Sequence, residues 1–495
     1  MRLFELLEGV PHEMVQGGDT QVSSVEIDSR KVREGSFFIC LSGLEFDGHD
    51  FIPSAAKSGA VAILVEKKAE KKWGEVLKNN RVSVVSVECT RSAMSFVAAN
   101  FHGNPAKKLR LIGVTGTNGK TTTTHFIDEI LTFCGRKTGL IGTVGAKIAG
   151  KPLDYNFLTS TTPDPLELHE VFKVMAAGGV QDVIMEVSSH ALHFRKMDGL
   201  LFDVGVFTNL SQDHLDIHGT MENYMVAKAQ LFAKSKTAVI NVDDEASKTM
   251  IGHLEGRKFL SYGIESDADL RAFGISIGEV TKFNIHGENG PFTLKPKGKF
   301  NVYNALAAVG VAKTLGFPME KIREAVAGLH GVEGRIQDVP NKLGVNIFVD
   351  YAHTPDGLVN IISSVREFTK GKITTIVGCG GDRDKLKRPI MGKIAGEMSD
   401  YTIITSDNPR TENPFHILSE IEAGVKETGK PYESIENRKT AIFLGVKNLR
   451  PGDSLIIAGK GHENYQIIGK DTIHFSDYET AVEAVNHVFY GGTNT

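Results

Sequence analysis

Cysteine, tryptophan and long hydrophobic runs are scarce in this sequence. The four cysteines, Cys40, Cys89, Cys134 and Cys379, show no C-x-x-C spacing, so we expect reduced thiols, no zinc site and a cytoplasmic protein. A single tryptophan and 8% aromatic residues argue against a surface that stacks nucleic-acid bases. No run approaches the roughly 18 apolar residues that a membrane helix needs, and the first apolar run, with its acidic residues, is not typical of a secretory signal.

An excess of charge of one sign is also missing. Lysine and arginine number 56 against 60 acidic residues, and the net charge of −4 argues against a protein that coats nucleic acid. The 41% hydrophobic and 23% charged residues are typical of a globular protein. A length of 495 residues predicts several domains.

Alternating strand-like and helix-like segments divide the chain into three regions. Residues 1–107 predict a small α/β unit that ends in a linker at Pro105. In residues 108–335 strands and helices alternate, which predicts a mostly parallel, doubly wound sheet. In residues 336–495 the strands end in glycines or charged residues, where open α/β sheets bind ligands. The predicted strands cover residues 61–66, 82–88, 109–114, 182–187, 204–210, 237–243, 346–351, 372–381, 400–407 and 453–461.

A glycine-rich turn between a strand and a helix is the clearest functional motif. Its backbone amides suit phosphate oxygens, its lysine can reach the β and γ phosphates, and the following hydroxyl can bind Mg²⁺. Val114 stands where the strict phosphate-loop pattern has its first glycine. The residues of this predicted ATP site are Gly116, Thr117, Asn118, Gly119, Lys120, Thr121 and Thr122.

Glu186, His214 and Lys228 form a second candidate constellation. Glu186 ends one predicted strand and His214 follows another, so both are expected at the phosphate-facing edge, where a carboxylate and an imidazole could hold Mg²⁺. Taken alone, the first two equally fit ordinary polar strand ends. Lys228, taken alone, predicts a solvated lysine on a helix.

Charged residues also follow the strands of the third region. Arg383, Arg410 and Glu463 come after successive predicted strands. Paired arginines suit carboxylates and a glutamate suits an ammonium group, so this set fits a zwitterionic substrate. Unrelated surface charges fit the pattern as well. Asp350 could accept hydrogen bonds from a ribose, although, taken alone, a capped turn explains it better.

These motifs occur in one order along nearly the whole chain, and together they resemble the Mur ligase family. They are TGTNGKTT, TSTTPD, MEVSSHAL, TNLSQDHLDIHGTMENYMVAKAQLF, FNVYNALAAV, GVEGRIQ, DYAHTPDGL, CGGDRDKLKRP, DNPRTENP and AGKGHENYQ. The resemblance implies an α/β fold of three domains. These are a small N-terminal α/β domain for the UDP moiety (1–107), a central phosphate-loop, doubly wound ATP domain (108–335) and a C-terminal Rossmann-like domain for an amino acid (336–495).

The resemblance also implies roles for individual residues. Lys120, Glu186, His214 and Lys228 would be catalytic, and Lys228 would be carbamylated. Mg²⁺ would be held by Thr121, Glu186, His214 and the carbamate. Further ATP contacts would come from Asn301, Asn304, Arg335 and Asp350. The UDP-muramoyl-peptide would be bound by Ser29, Thr161, Thr162, Ser188 and a basic residue, Arg195 or Lys196. Diaminopimelate would be bound by Arg383, Asp407, Asn408, Pro409, Arg410, Gly459 and Glu463.

The implied activity is the ATP-dependent, ADP-forming addition of meso-diaminopimelate to UDP-N-acetylmuramoyl-L-alanyl-D-glutamate for peptidoglycan. The expected cofactor is Mg²⁺, and the expected state is a cytoplasmic monomer without nucleic-acid partners. The alternatives are the L-lysine-adding ligase, a folylpolyglutamate synthetase and a nucleotide-dependent switch. The tetrad DNPR resembles diaminopimelate-adding relatives, which favours the first activity.

Two positions depart from the family pattern. The family usually has an arginine where this chain has Lys196, and Arg195 precedes it, so either side chain could contact the substrate. Leu386 stands where relatives often have glycine, beside the Arg383 loop. We expect Leu386 to be tolerated there.

Overall fold

The structure is a computed structural model that describes residues 1–43, 46–77, 82–155, 157, 161–278 and 280–490. These residues form two compact units, the first of residues 1–210, 214–262 and 310–315, the second of residues 211–213, 263–309 and 316–495. No helix among them has both the length and the apolar content of a membrane-spanning segment.

A small sheet opens the first unit. Its order is β1-β5-β4-β3-β2, and every neighbouring pair is parallel except β1 with β5. The predicted linker is instead a short 3₁₀ helix, Pro105–Lys108, with Pro105 buried. The elements are α1 (Leu3–Leu6), β1 (Glu13–Gln16), β2 (Ser24–Glu26), β3 (Ser36–Ile39), α2 (Ile52–Lys57), β4 (Ala60–Glu66), α3 (Glu70–Leu77), β5 (Ser83–Val87) and α4 (Thr90–Phe101).

The larger sheet of the first unit is predominantly parallel, as predicted. The strands run in the order β13-β12-β11-β6-β10-β7-β8-β9, and only the pairs β7–β8 and β8–β9 are antiparallel. Its elements are β6 (Arg110–Thr115), α5 (Lys120–Phe133), β7 (Thr138–Gly142), β8 (Gly145–Ile148), β9 (Lys151–Pro152), α6 (Pro165–Ala177), β10 (Asp182–Glu186), α7 (Ser189–His193), β11 (Phe202–Phe207), α8 (Leu215–His218), α9 (Met221–Ala233), β12 (Ser235–Asn241), α10 (Ser247–Gly252) and β13 (Phe259–Gly263).

The order of this sheet decides where its functional loops meet. The central strand β6 pairs with β10 on one side and β11 on the other, and Val114 lies opposite both Glu186 and Val206. The loops after these three strands therefore leave from one edge, next to the start of α5. Such an edge is where open α/β sheets bind ligands.

The second unit contains an antiparallel sheet and a mainly parallel one. The antiparallel sheet is β14-β15-β16, and the other has the order β17-β18-β22-β19-β20-β21 with only β17 antiparallel. The elements are β14 (Leu270–Ile277), β15 (Thr281–Ile285), β16 (Phe292–Leu294), α11 (Lys299–Thr314), α12 (Met319–Gly328), β17 (Gln337–Asp338), β18 (Asn346–Asp350), α13 (Pro355–Arg366), β19 (Ile373–Val377), α14 (Lys387–Met398), β20 (Tyr401–Thr405), α15 (Pro414–Lys426), β21 (Tyr432–Ile435), α16 (Arg438–Lys447), β22 (Ser454–Ala458), β23 (Tyr465–Ile468), β24 (Asp471–His474) and α17 (Asp477–Tyr490).

The strands of the parallel sheet in the second unit are buried on both faces. Phe348 packs into one hydrophobic cluster, whereas its neighbours Ile347 and Val349 pack into another, as the alternation of side chains along a strand requires. Continuous apolar runs, rather than alternating ones, follow from this double burial. The α/β class with large parallel sheets was therefore predictable from sequence, although the observed strands are shorter than several predicted runs.

Candidate functional site

The loop between β6 and α5 is shaped by two glycines. Gly116 has φ +154°, and a Cβ atom there would lie 1.8 Å from Thr208 Oγ1, while Gly119 has φ +81°. Lys120 Nζ donates to the carbonyls of Gly116 at 3.0 Å and Thr117 at 2.9 Å. The lysine thus lies across its own loop, half-buried at the start of α5. The predicted glycine-rich turn between a strand and a helix is present, and its role toward phosphate stays a prediction.

Residues after β11 hold this loop in place. Thr208 Oγ1 donates to Asn118 O at 2.7 Å, and the Asn118 amide donates to Asn209 Oδ1 at 2.9 Å. The Thr117 amide donates to Asn209 O, also at 2.9 Å. Sequence reasoning missed Thr208 and Asn209 as supports, although both lie in the quoted TNLSQDHLD motif. The loop is therefore rigid before any ligand binds.

Glu186 connects the ends of three strands at this edge. Its carboxylate is buried and accepts from Thr121 Oγ1 at 3.1 Å, the Thr143 amide at 2.8 Å and Thr143 Oγ1 at 3.1 Å. A Cβ on Gly142 would lie 2.3 Å from Glu186 Oε1, so the backbone approaches the carboxylate closely. Thr143 belongs to no motif and could not be found from sequence. The cluster offers hard oxygen donors, which suit Mg²⁺.

Lys228 is buried, which makes the reading of a solvated helix lysine wrong. Its side chain on α9 is part of a residue that is 1% exposed, and Nζ donates to Gly116 O at 2.8 Å. The ammonium also lies 4.4 Å from the centroid of the Tyr224 ring. Tyr224 in turn places its hydroxyl 3.2 Å from Thr117 Oγ1. Lys228 and Lys120 therefore contact the same carbonyl.

His214 begins α8 in a left-handed conformation, with φ +52°. Its ring lies 4.6 Å from that of His190 and 6.1 Å from that of Tyr224, measured between centroids. Among the described residues, no three His, Cys, Asp or Glu side chains are grouped as a cation site. A metal held by the predicted set would therefore need oxygen ligands from the nucleotide or from a modified lysine.

The predicted muramoyl-peptide residues lie beside Glu186. Thr162 Oγ1 is 3.0 Å from Glu186 O and 3.2 Å from Ser188 Oγ, and the Ser188 amide donates back to it at 3.0 Å. Thr161 Oγ1 lies 3.3 Å from Thr143 Oγ1. The first two residues of the TSTTPD motif lie outside the described residues.

Lys196, rather than Arg195, is the basic residue directed at this cluster. Lys196 Nζ lies 3.5 Å from Thr162 O and 2.8 Å from the Asp164 carboxylate. Arg195, with φ +58°, instead points to Asp198 at 3.6 Å, and 55% of its side chain is exposed. Sequence reasoning missed Asp164, which holds Lys196 in this position.

Ser29 lies in another part of the first unit, at the start of a 3₁₀ turn. Asp28 caps that turn, accepting from the Arg30 amide at 3.0 Å and from Arg30 Nη2 at 2.8 Å. The hydrogen bonds from Arg30 lower the pKa of Asp28 to about 2. The turn is thus ordered by its neighbours, while a role for Ser29 toward uridine stays a prediction.

In the second unit, Asp350 and Arg335 lie together at the end of β18. Asp350 Oδ2 accepts from the Ile336 amide at 2.8 Å, and Arg335 stacks 5.1 Å from the centroid of the Tyr351 ring. Burial raises the pKa of Asp350, and the nearby Arg335 partly opposes that rise. Asp350 is therefore held in place by a loop amide, and its role toward a ribose stays a prediction.

Asn301 and Asn304 are buried on α11, one turn apart. Asn301 Nδ2 donates to Lys297 O at 2.8 Å, and Asn304 Nδ2 lies 3.3 Å from Asn301 Oδ1. The two amides therefore form one connected pair, and their role toward ATP stays a prediction.

The two predicted arginines flank one glycine. Arg410, with φ +51°, donates from Nη1 to Gly381 O at 2.9 Å. A Cβ on Gly380 would lie 2.8 Å from Arg410 Nη1 and 3.8 Å from Arg383 Cγ. The loops after β19 and β20 thus bring the two arginine side chains next to Gly380, while their role toward a zwitterionic substrate stays a prediction. Leu386 is 80% exposed, consistent with its being tolerated.

Glu463 and Asn408 share a buried cation that sequence reasoning missed. Lys460 Nζ lies 3.1 Å from Glu463 Oε2 and 3.3 Å from Asn408 Oδ1, and Asn408 Nδ2 donates to Glu463 Oε2 at 3.0 Å.

Gly459, with φ +119°, leaves room for Asp407, because a Cβ there would lie 2.8 Å from Asp407 Oδ2. A Cβ on Gly381 would lie 1.9 Å from the carbonyl oxygen of Pro409, so the two loops pack closely.

Two buried arginines support these loops from behind. Arg438 pairs with Asp477 at 2.7 Å and donates to Ala458 O at 2.9 Å and Ser406 O at 3.3 Å, which ties the ends of β20 and β22. Arg388 donates to Glu412 at 2.9 Å and to Gly380 O at 3.2 Å. Neither was identified from sequence, because a buried arginine and a surface arginine look alike there.

Three family models match the chain. The model of the Mur ligase family catalytic domain matches residues 21–102, the Mur ligase middle domain residues 114–312, and the Mur ligase glutamate ligase domain residues 334–461. Proteins named UDP-N-acetylmuramoyl-L-alanyl-D-glutamate–2,6-diaminopimelate ligase are similar over the whole length. Those of Bacillus velezensis and Caldanaerobacter subterraneus are each 44% identical, over 98% of this chain and 99% and 98% of their own lengths.

Solved structures show the same architecture. A structure titled with the same ligase name has a TM-score of 0.66 at 33% identity and covers 94% of this chain and 95% of its own. MurF ligase from Thermotoga maritima in complex with ADP has a TM-score of 0.60 at 22% identity, over 95% of this chain and 97% of its own, which shows the fold alone.

Proposed function

The chain belongs to the Mur ligase family, and we propose that it adds meso-2,6-diaminopimelate to UDP-N-acetylmuramoyl-L-alanyl-D-glutamate in peptidoglycan precursor synthesis. The reaction consumes ATP and forms ADP and phosphate. The observation that carries this assignment is the full-length similarity, at 44% identity, to relatives named for that reaction. The arginine and glutamate cluster of the second unit supports the amino-acid substrate.

The chemistry requires that the D-glutamyl carboxylate first be activated. A carboxylate does not react with an amine at a useful rate, because oxide would have to leave. Transfer of the γ-phosphoryl group of ATP to the carboxylate forms an acyl phosphate and releases ADP. The amine then attacks the carbonyl carbon, and the tetrahedral intermediate expels phosphate and loses a proton. Catalysis of such a transfer is largely positioning and electrostatic stabilisation.

The loop after β6 supplies this stabilisation in our proposal. Lys120 moves from the carbonyls that it contacts in the structure to the phosphate oxygens, and the loop amides and the start of α5 bind the same anion. The hydrogen bonds that Asn118 makes with Thr208 and Asn209 hold the loop in this conformation, which lowers the ordering cost when ATP binds. In the second unit, Asn301, Asn304, Arg335 and Asp350 contact the adenosine and phosphates of ATP.

A divalent cation fits the donor set around Glu186. The buried carboxylate and the Thr121 hydroxyl are hard oxygen ligands, and His214 and a carbamate on Lys228 complete the proposed set. When bound, Mg²⁺ would neutralise charge on the phosphate oxygens. Thr121 and Thr143 already orient Glu186 for this role.

Carbamylation of Lys228 would remove the repulsion between the ammonium groups of Lys228 and Lys120. Two ammonium groups contact Gly116 O, at 3.0 and 2.8 Å, and therefore lie within about 6 Å of one another, where like charges repel. When the neutral amine of Lys228 attacks CO₂, a C–N bond forms, a proton is lost and the cation becomes an anion. The carbamate N–H keeps the bond to Gly116 O. This change turns a repulsive pair into an attractive one.

The remaining site residues are assigned to the nucleotide-peptide and to diaminopimelate. Thr161, Thr162, Ser188 and Lys196 contact the muramoyl-peptide beside Glu186, and Ser29 contacts the uridine nucleotide. Arg383 and Arg410 bind the distal carboxylate of diaminopimelate, and Glu463 binds the distal ammonium, with Asp407, Asn408, Pro409 and Gly459 shaping the site. We place the enzyme in the cytoplasm as a monomer, with the domains 1–107, 108–335 and 336–495.

The test is an ADP-release assay with UDP-N-acetylmuramoyl-L-alanyl-D-glutamate, ATP and Mg²⁺. We expect turnover with meso-diaminopimelate at a kcat/KM at least about 100-fold above that with L-lysine, since losing one charge-assisted pair costs about 2–5 kcal/mol. Reactions without the nucleotide-peptide are the control. Comparable values for both amino acids would remove the specificity claim, and no turnover with either would remove the ligase claim.

A further inference from the structure

The side chain of Lys460 is a fully buried cation beside the proposed diaminopimelate residues. It is 0% exposed, and its ammonium contacts Glu463 Oε2 at 3.1 Å and Asn408 Oδ1 at 3.3 Å. The ring of Tyr465 covers it, with its centroid 5.3 Å from Nζ. A buried ammonium costs free energy unless it is paired, so this lysine and Glu463 depend on one another.

The orientation of the Asn408 amide follows from this cation. Its oxygen accepts from Lys460 and from the Ile467 amide at 3.0 Å, while its nitrogen donates to Glu463 Oε2 at 3.0 Å. Reversing the amide would point its NH₂ group at an ammonium and a backbone N–H. Lys460 and the Ile467 amide therefore together fix which atom of Asn408 faces Glu463.

The charge of Glu463 is already balanced before a substrate arrives. Both contacts, from Lys460 and from Asn408, fall on Oε2, and the other oxygen, Oε1, takes neither. A lone ammonium that reaches Oε1 meets a carboxylate whose charge a neighbouring lysine offsets. An ammonium accompanied by a carboxylate gains additionally from Arg383 and Arg410, which flank Gly380.

We propose that Lys460 is a positioning and specificity-determining residue, which orients Asn408 and Glu463 and offsets the charge of Glu463 against substrates with a lone distal ammonium. The inference rests on the proposed function and deepens it. It explains how a site with a carboxylate can bind diaminopimelate while rejecting L-lysine, whose distal end carries the ammonium alone.

The test compares kcat/KM for diaminopimelate and for L-lysine at pH 8 in the wild type, Lys460→Met and Lys460→Gln. We expect Lys460→Met to raise the KM for diaminopimelate at least tenfold, to leave the KM for ATP within twofold, and to narrow the preference over lysine at least tenfold. Lys460→Gln keeps a donor without the charge, so it should recover part of the KM but not the preference. Lys439→Met, which removes an exposed lysine paired with Glu483, is the control.

A double-mutant cycle with Glu463→Gln separates this role from packing. If Lys460 acts through Glu463, adding Lys460→Met to Glu463→Gln should change the preference by less than threefold. The double variant removes both buried charges, so this comparison remains available if Lys460→Met alone does not fold. A tenfold or larger change in that background, or an unchanged preference in folded Lys460→Met, overturns the inference. A wild type inactive with both amino acids overturns the proposed function instead.

Discussion

At the scale of single residues, two proposed catalytic lysines contact one carbonyl oxygen. Gly116 O accepts from both Lys120 and Lys228, and the same loop faces Glu186 through Thr121. Each of these side chains has a polar partner in the structure that an incoming phosphate or cation can replace. Substitutions at these positions should therefore affect the chemistry far more than the stability.

Lys120→Ala should abolish turnover in a folded protein. Loss of a preorganised charge from a transition state typically costs a factor of about 10²–10³ in kcat, and Lys120 Nζ donates to two carbonyls of its own loop. Steady-state ADP release and thermal melting measure the two effects. Lys236→Ala, which removes a surface pair with Asp203, is the control. Wild-type activity in folded Lys120→Ala would refute the phosphate role.

Lys228→Ala should be nearly inactive, and short carboxylic acids should partly restore its activity. Acetate or propionate can occupy the space that the carbamate leaves and supply the same negative oxygens. ADP release is measured against acid concentration, with Lys120→Ala as a variant that no carboxylic acid should rescue. Full activity of Lys228→Ala without added acid would show that the carbamate is dispensable.

Arg410→Ala should narrow the preference for diaminopimelate over lysine. Its guanidinium is proposed to bind the carboxylate that lysine lacks. The kcat/KM for diaminopimelate should therefore fall by a factor that corresponds to about 2–5 kcal/mol, and the kcat/KM for lysine should fall much less. Arg366→Ala, at an exposed pair with Asp400, is the control. Equal losses for both amino acids would instead mean that Arg410 positions the loop, through its bond to Gly381 O.

At the scale of elements, strand order rather than strand sequence assembles both clusters. Thr121 and Asn209 follow β6 and β11, and Glu186 ends β10. β6 lies between β10 and β11 in the sheet, although the three strands are well separated in the chain. The loops after β18, β22, β19 and β20 meet in the same way in the second unit. The shape of each loop then depends on glycines, because residues with a Cβ atom rarely adopt the backbone conformations found there.

Gly116→Ala should disrupt the phosphate loop. A Cβ atom would lie 1.8 Å from Thr208 Oγ1, at a φ of +154°. Gly135→Ala is the matched control, because Gly135 has φ +86° but no atom within 4 Å of the added Cβ. We expect the control to lose about 1–2 kcal/mol of stability from backbone strain alone. Gly116→Ala should lose more and should no longer bind ATP, as followed by urea unfolding and by nucleotide-induced thermal shift. Equal behaviour of the two variants would contradict the steric argument.

At the scale of the whole molecule, a buried histidine links stability to pH. His169 on α6 is 2% exposed and packs edge-to-face on Phe172 at 5.6 Å. Its Nδ1 has no hydrogen-bond partner among the described residues. Burial lowers the pKa of His169 from 6.5 to about 4, and His102 contributes to the shift. The folded protein therefore holds this imidazole neutral at pH values where the unfolded chain protonates it.

Stability should consequently fall as the pH drops from 6.5 to 4. Below the unfolded pKa the unfolded chain binds the extra proton, which favours unfolding until the pH also passes the folded pKa. The two pKa values correspond to a loss of about 3 kcal/mol. His169→Leu should flatten this part of the unfolding free-energy curve, whereas Phe172→Leu should lower the curve without changing its slope. An unchanged slope in His169→Leu would contradict the assignment.

The sequence alone determined the class of the fold and the candidate residues that are coded locally. The motif at residues 116–121 can be recognised from the sequence because a strand, two glycines, a lysine and a hydroxyl are adjacent. Its backbone conformation depends on near neighbours in the chain. Glu186 and Arg410 were predicted for a similar reason, since parallel strands share an edge. The ordered motifs indicated the family before any contact was known.

Only the tertiary structure decided which side chains are buried and with what they pair. It placed Lys228 inside rather than in solvent and directed Lys196, not Arg195, at Thr162. It also revealed Thr143, Thr208 and Lys460. The sequence does not distinguish a lysine in water from a lysine paired with a carboxylate. The environment of the side chain is built by strands that are far apart in the chain. Burial and pairing are properties of that packing, so no local pattern could predict them.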